Sequence, residues 1–401
     1  MKKLKCRVCK KNGKLVINLG KQPLANAIKA NKKKEKKYDL KLFQCKKCKT
    51  LQLTEDINPK ILFSNYVWVT GTSNSTIKYL KDLSNYIFSK MKSNSNSRIL
   101  EIASNDGSFL KILKKKFKYV IGIEPAKNLT RLSNKNNLKT YNYFFNYRNS
   151  KIILKKINKK VDLIICRNVI PHINNLHSVF KGINNILNKK GKLIIEFHYA
   201  KHILKDFHFD YIYHEHVYYF TIKTLSNFLK YYDLFPNDVK FSKISGGSLI
   251  LTFSYNKNRT KKLNNYIIKE NKLKLYSNFV IKKFNNKIMK YKNSVKKIID
   301  KNSNKIAGYG SSARSNTVIN FLNLNDKKIK YIFDKNSMKH GKYTPGSNIK
   351  IIKPLAKNIN KFSTIVIFAW NFYDEIKERL KKIKFKGKII KILPKTKIEI
   401  I

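Results

Sequence analysis

Residues 98–109 read Arg-Ile-Leu-Glu-Ile-Ala-Ser-Asn-Asp-Gly-Ser-Phe. The apolar residues Ile99, Leu100 and Ile102 predict a buried strand, and the small residues behind them predict a turn that opens a helix at Phe109. Glu101 falls at the strand's carboxyl end, and Gly107 is expected to let a ligand approach the backbone. A second strand follows, Tyr119-Val-Ile-Gly-Ile123, and ends in Glu124-Pro125. In doubly wound α/β sheets a carboxylate at that place binds a ribose diol. The phosphate-cradling G-x-G-x-x-G is missing here. A cofactor with a ribose and no phosphate fits that pattern, S-adenosylmethionine (SAM) first among them. Glu101, Ala103, Asn105, Gly107, Glu124 and Pro125 are the candidate cofactor contacts.

Working outward, strands are predicted at Arg98–Ala103, Tyr119–Ile123, Val161–Cys166 and Gly191–Phe197, with helices between them. Val239–Ile244 and Ser248–Ser254, around Gly246-Gly247, read as a hairpin. A terminal antiparallel hairpin on a parallel sheet is the pattern of the common methyltransferase sheet, by fold analogy. Asn168 lies where the sheet's carboxyl edge faces the cofactor, and His172 just beyond it. His172 stands evenly between a working residue and an ordinary packed histidine. Cys166 reads as an inert buried thiol.

Cys6-x-x-Cys9 and Cys45-x-x-Cys48 have the spacing of two knuckles that share one tetrahedral zinc. Four thiolates close the coordination sphere, so such an ion is structural. Two separate redox pairs are the alternative. The lysine-rich loop Asn31–Lys37 between the knuckles reads as solvated.

Tyr213-His214-Glu215-His216 is the densest set of titratable groups, with Phe207, Phe209, Tyr211, Tyr218, Tyr219 and Phe220 around it. Imidazoles and a carboxylate in an apolar wall shift one another's pKa toward neutrality, which suits proton transfer. As an extended segment it would put Tyr213 and Glu215 on one face and His214 and His216 on the other. An aromatic core strand with polar tips is the bland alternative. A metal site is another, but this segment lacks the i, i+4 histidines of a zincin helix.

Residues 77–90 have helical spacing and lead through the linker Ser93–Ser97 to the first strand. Residues 261–300 read as one or two connecting helices. A second α/β pattern starts at Ile306–Gly308, runs into Gly308-Tyr-Gly-Ser-Ser-Ala313, and continues through strands at Ile329–Phe333, Thr364–Phe368 and Lys388–Ile392. The glycine turn is a weak nucleotide-binding signal. Lys339 to Gly346 adds cations and donors suited to a diphosphate.

At 401 residues, 42% hydrophobic, the chain has room for two or three cores. Its formal charge of +64 comes from 87 Lys+Arg against 23 Asp+Glu. The basic residues are nearly all lysine, spread along the chain and accompanied by Asn, Ile, Tyr and Phe, as coding bias toward A and T produces. Composition bias is therefore the preferred reading over nucleic-acid binding. No apolar run is long enough to span a bilayer, and MKKLKCRVCK has no apolar core behind it, so a cytoplasmic protein without a signal peptide is expected.

Together these motifs resemble the nucleotide-sugar 3-C-methyltransferases of branched deoxysugar biosynthesis. The likeness covers essentially the whole chain. It comprises the zinc knuckles, Leu19-Gly20-Lys-Gln-Pro23-Leu24-Ala25-Asn26, Glu101-Ile-Ala-Ser-Asn-Asp-Gly107 and Asn168-Val-Ile-Pro-His172. Phe209-Asp-Tyr-Ile-Tyr-His-Glu-His216, Gly246-Gly-Ser248 and Tyr309-Gly-Ser…Lys342-Tyr-Thr-Pro-Gly346 complete it. The resemblance implies a zinc-binding domain (1–72), a class I SAM-dependent methyltransferase domain with a doubly wound sheet (73–258) and a C-terminal Rossmann-like substrate-binding domain (259–401).

It also implies a small-molecule nucleotide-sugar partner, usually thymidine diphosphate-linked, and methylation of a ring carbon beside a ketone. Neither a nucleic-acid nor a membrane partner is implied, and a monomer or small homo-oligomer is expected. Tyr66, His172, Tyr213, Glu215 and His216 fall at the family's active-site positions. In the expected chemistry His216 is the base, Glu215 its orienter, and Tyr213, His172 or Tyr66 the donors to the ketone oxygen. Asn26, Ser248, Lys342 and Tyr343 are the expected substrate contacts, and Cys6, Cys9, Cys45 and Cys48 the metal ligands. The chain departs from the family at Trp68, where a second tyrosine is common, and around His198. An O- or N-methyltransferase on a sugar nucleotide is the runner-up. A basic zinc-containing nucleic-acid-binding protein and a scaffold without turnover are the remaining alternatives.

Overall fold

In the computed structural model the described residues are all but 1–3, 65, 67, 68, 73, 93, 303 and 304, and the side chains of 72, 74, 75 and 245 are also left aside. Trp68, the linker residue Ser93 and the expected boundary at residue 73 thus lie outside the described residues. The strands are β1 (Gly13–Gln22), β2 (Tyr38–Cys45), β3 (Leu51–Leu53), β4 (Arg98–Ile102), β5 (Tyr119–Ile123), β6 (Thr140–Tyr141), β7 (Val161–Arg167), β8 (Leu187–His198) and β9 (Tyr218–Tyr219). They continue with β10 (Phe235–Ser242), β11 (Ser248–Ser254), β12 (Ile306–Tyr309), β13 (Tyr331–Phe333), β14 (Lys350–Ile352), β15 (Thr364–Ile367), β16 (Lys388–Lys391) and β17 (Lys397–Ile400).

The central sheet has the order β10-β11-β8-β7-β4-β5-β6. Strands β4 to β8 run parallel, and β11 is antiparallel to both its neighbours. This is the doubly wound methyltransferase sheet with its terminal hairpin. The strands β4 and β7 are buried on both faces, which is why they read as near-continuous apolar runs. Each fully buried Ile or Leu there contributes on the order of 2 kcal/mol. Cys166 is buried in β7 as expected. The first hairpin strand starts four residues before the predicted Val239, and Ile244 falls instead in a short turn before Gly247.

The C-terminal sheet has the order β14-β13-β12-β15-β16-β17, parallel except for β17. The helices Lys261–Lys272 and Asn278–Lys301 bridge the two large sheets, started by side-chain caps from Thr260 and Ser277. The buried stripe of the second, Val280, Phe284, Ile288, Val295 and Ile299, joins Phe207, Phe209 and the C-terminal sheet in one core.

The N-terminal sheet β1-β2-β3-β9 takes its last strand from the far side of Tyr213–His216: Leu51 pairs with Tyr219 and Gln52 with Tyr218. This ladder anchors the cysteine-rich unit directly beside the YHEH segment. His177 Nε2 adds a hydrogen bond to the Val8 carbonyl at 2.8 Å. Among the described residues no helix is long and apolar enough to cross a membrane.

Candidate active site

The strand order reverses about β4 in the central sheet and about β12 in the C-terminal sheet. Ligands bind outside the carboxyl ends of strands at such points. Here both points open into one cavity of 2380 Å³, lined by Ala103, Asn105, Glu124 and Asn168 on one side and Gly310, Ser312, Arg314 and Lys339 on the other. That volume is more than twice the roughly 300–1,000 Å³ of a pocket for a single small ligand.

The turn after β4 holds Ala103, Asn105 and Gly107 at φ of 58°, 55° and 79°, and Asn168 after β7 at 50°. Three non-glycine residues, Ala103, Asn105 and Asn168, therefore take the left-handed conformation that glycine adopts most readily, strain of a kind that clusters at ligand sites. The Glu124 carboxylate accepts the backbone N–H of Asn105 at 2.8 Å and of Ala126 at 2.9 Å, so it ties the turn to the end of β5. Burial pushes its pKa up. The Asn105 carbonyl oxygen of the side chain accepts from the Thr70 amide at 2.9 Å, and Asp106 accepts from the Gly71 amide at 3.0 Å, drawing residues 70–71 over the turn.

Two expected contacts have another role. Glu101 does not line the cavity; it is fully buried and accepts from Arg167 Nε at 2.8 Å, while Arg167 lines the cavity. Burial raises its pKa to about 7 against the opposing pull of Arg167. At Gly107 an added Cβ would lie 2.3 Å from Ser133 Oγ and 2.5 Å from Leu138 Cδ1. Close packing inside the protein by itself requires the glycine there.

Tyr213–His216 is a turn, not an extended strand: the His216 amide donates to the Tyr213 carbonyl at 2.9 Å. The turn brings Tyr213 and His216 together and sends His214 away, edge-on to Tyr38. His216 Nδ1 lies 3.0 Å from the Tyr211 carbonyl, which can only accept, so the proton is on Nδ1. Burial, reinforced by His172 at 4.6 Å between ring centres, holds the His216 pKa well below the usual range. The ring is therefore neutral, and Nε2 accepts from the Tyr213 hydroxyl at 3.0 Å. Burial likewise lowers His172 to about 4 and keeps Tyr213 a neutral phenol.

Glu215 does not orient His216. Its Oε1 accepts from Asn26 Nδ2 at 2.6 Å and its Oε2 from the Tyr66 hydroxyl at 3.1 Å. Burial pushes its pKa up to about 7, against those two donors. Tyr66, His172, Tyr213, His216 and Asn26 all line the cavity. Ser248, Lys342 and Tyr343 do not. Ser248 is buried at the start of β11, opposite His198. Lys342 is exposed, and the backbone of Tyr343 bridges to Lys29. The cations on that side of the cavity are instead Lys335, Lys339 and Arg314, each paired with a carboxylate, Glu375, Asp334 and Asp210 respectively.

Sequence reasoning missed Arg314 and Trp370, and gave no role to Asp210 and His198, although both stand in stretches it singled out. His198 stacks on Tyr211 at 3.4 Å between ring centres, 2° between planes. These partners are far apart in the chain, so no local spacing announces them.

The Sγ atoms of Cys6, Cys9, Cys45 and Cys48 lie within 4.8 Å of one another, with Cys6–Cys48 at 3.5 Å and Cys9–Cys45 at 3.4 Å. The amides of Val8 and Cys9 point at Cys6 Sγ, and that of Cys48 at Cys45 Sγ. Four thiols so gathered, with N–H donors stabilising thiolate, fit a closed structural zinc.

A cavity reaching the switch points of two sheets, one carrying a strained cofactor turn and a buried imidazole–phenol pair, defines a SAM-dependent methyltransferase with a zinc-binding unit. Three family models match: the "Putative zinc binding domain" over residues 6–63, the methyltransferase domain over 75–234 and the C-methyltransferase C-terminal domain over 243–394. The chain is 23% identical to the C-methyltransferase NovU of Streptomyces niveus, over 98% of this chain and 96% of NovU. It is a SAM-dependent methyltransferase, similar along its length to a C-methyltransferase.

Solved structures similar to it include a SAM-dependent methyltransferase from Anabaena variabilis, 14% identical with a TM-score of 0.39 over 50% of this chain and 96% of that one. Another is the magnesium protoporphyrin IX methyltransferase of Synechocystis PCC 6803 with bound SAM, 11% identical with a TM-score of 0.33 over 45% and 79%.

Proposed function

We propose that this protein methylates a ring carbon beside a ketone in a nucleotide-linked keto-deoxysugar, thymidine diphosphate-linked by resemblance, through an enolate. The observation that carries the reading is the neutral His216 with its Nε2 electron pair beside the Tyr213 hydroxyl in the shared cavity. A sugar C–H yields its proton only if the neighbouring carbonyl takes up the charge, so a base and a donor must act together.

In this reading Tyr213 turns its hydroxyl to the ketone oxygen, and Nε2 of His216 takes the adjacent carbon's proton. The electron pair of that C–H bond becomes the enolate, held by Tyr213 and by His172. Asn26 and Tyr66 face the ring hydroxyls, and Glu215, which does not itself line the cavity, holds both of them by accepting their hydrogen bonds. Ala103, Asn105, Glu124, Pro125 and Asn168 line the place where SAM would be held; when bound it would supply the methyl to the enolate carbon and leave as adenosylhomocysteine. The rate of that step depends on alignment, which the strained turn and the Glu124 tie support. Lys335 and Lys339 lie on the wall opposite, paired with Glu375 and Asp334; a diphosphate there would exchange those carboxylates for its own oxygens. The divisions at 72/73 and 258/259 belong to the same proposal, as does a cytoplasmic setting.

The test uses methyl-labelled SAM with a panel of 4-keto sugar nucleotides and locates the label by NMR. Label on carbon supports the proposal. Label on oxygen or nitrogen, with an Ala variant of His216 still active, replaces it with the O- or N-methyltransferase reading.

A further inference from the structure

Asp210 lies in the turn Phe209–Tyr211, just before the YHEH segment, and is 1% exposed. Its Oδ2 accepts from Arg314 Nε at 2.8 Å and from Trp370 Nε1 at 2.8 Å, and lies 2.7 Å from Arg314 Nη2 in an ion pair. Both partner residues come from the other end of the chain. Arg314 stands in the first turn of the helix Ala313–Phe321, after β12, and Trp370 in the turn after β15. A buried ion pair by itself adds little net stability, because desolvation offsets the attraction. Its place beside the base gives it another use.

The next residue is Tyr211. His198 stacks on its ring at 3.4 Å, and the Arg314 guanidinium carbon lies 4.0 Å from the ring centre. Two groups that close cannot share one face, so the ring is gripped from both sides. Its hydroxyl oxygen also accepts from Arg314 Nη1 at 3.2 Å. With Asp210 and the Tyr211 ring both fixed, the Tyr211 carbonyl has little freedom. That carbonyl receives the Nδ1–H of His216. If it moved, the proton could pass to Nε2, and the ring would present no electron pair toward Tyr213.

We infer that Asp210, with Arg314 and Trp370, is a positioning residue for proton abstraction: it holds the Tyr211 carbonyl where it keeps His216 in the Nδ1–H tautomer. The C-terminal unit thereby completes the catalytic centre of the central sheet. The inference rests on His216 being the base.

Nitrogen-15 NMR of histidine-labelled full-length protein reads the tautomer directly, with the His216 signal identified by its loss in His216→Gln. The wild type shows Nδ1 protonated and Nε2 bare. Asp210→Asn keeps an acceptor but loses the charge, and its His216 becomes a mixture of tautomers. Its rate of deuterium exchange at the carbon beside the ketone, without methyl donor, falls by about tenfold or more. That is part of the roughly 100- to 10,000-fold that a placed base supplies. Neither Asp210 nor Trp370 lines the cavity, and the cofactor turn after β4 touches neither, so the affinity for adenosylhomocysteine stays at the wild-type value. Asp210→Glu restores part of the rate.

If Asp210→Asn fails to fold, Trp370→Phe removes one donor to the same carboxylate and shifts tautomer and rate in the same direction. A folded Asp210→Asn or Trp370→Phe with an unchanged His216 tautomer, or with wild-type exchange, overturns the inference. If the tautomer shifts but His216→Gln exchanges deuterium at the wild-type rate, the base assignment fails, and with it the assigned role in proton abstraction.

Discussion

Replacing Glu215 by Gln is expected to stabilise the protein while damaging its activity. The side chain is 2% exposed, and burial raises its pKa from 4.5 to about 7, with Asn26 and Tyr66 opposing the rise. A carboxyl whose folded pKa lies above its unfolded one binds its proton more tightly in the fold. Its cost to stability starts as pH passes the unfolded value and is complete above the folded one. From the size of the shift, ionised Glu215 costs about 3 kcal/mol at alkaline pH.

Gln has no charge to desolvate, and its amide oxygen can accept from Asn26 while its NH2 faces the Tyr66 oxygen. Chemical denaturation of wild type and Glu215→Gln at about pH 5 and about pH 8 therefore separates the two curves by pH. The difference moves in the variant's favour by about 2–3 kcal/mol across that range. Glu101 is also raised to about 7, but it is present in both proteins and cancels. A difference that does not change with pH, or that moves toward the wild type as pH rises, refutes the reasoning.

Gly107→Ala should cost about 2 kcal/mol or more, since its Cβ meets Ser133 and Leu138 and φ is +79°; a melting temperature equal to wild type would contradict the packing role. Glu124→Ala should weaken adenosylhomocysteine by about 10- to 100-fold in calorimetry, because two turn amides lose a charged acceptor; unchanged affinity would detach Glu124 from the cofactor. Cys45→Ser should lose zinc by metal analysis and several kcal/mol of stability, roughly as structural zinc sites do. Retained zinc with unaltered melting would show that the four sulfurs are not one site.

The central sheet was legible because its strands are buried on both faces and read as apolar runs ending in polar elbows. The prediction Tyr119–Ile123 matches β5, and Ser248–Ser254 matches β11. Strands of two or three residues, such as β6, β9 and β14, carry too few residues to show any period. That mattered most at β9, whose pairing with β3 sets the cysteine-rich unit beside the site.

The YHEH segment was found by its chemistry but given the wrong geometry. Alternation suggested a strand, whereas a single hydrogen bond from the His216 amide to the Tyr213 carbonyl makes a turn and pairs residues three apart. Lys342 and Tyr343 were expected in the site from the resemblance, yet the chain turns so that Lys339 lines the cavity instead. The Asp210–Arg314–Trp370 cluster joins residues 104 and 160 positions apart, which only the folded chain brings together.

The central claim is that a neutral His216 takes a proton from a carbon activated by a ketone. The direct measurement is NMR of a 4-keto sugar nucleotide in deuterated water with the protein and no methyl donor. The account predicts deuterium entering at the carbon beside the ketone, and no entry above background with His216→Gln. An unlabelled carbon in the presence of folded wild-type protein, while methyl transfer to the same substrate proceeds, contradicts it.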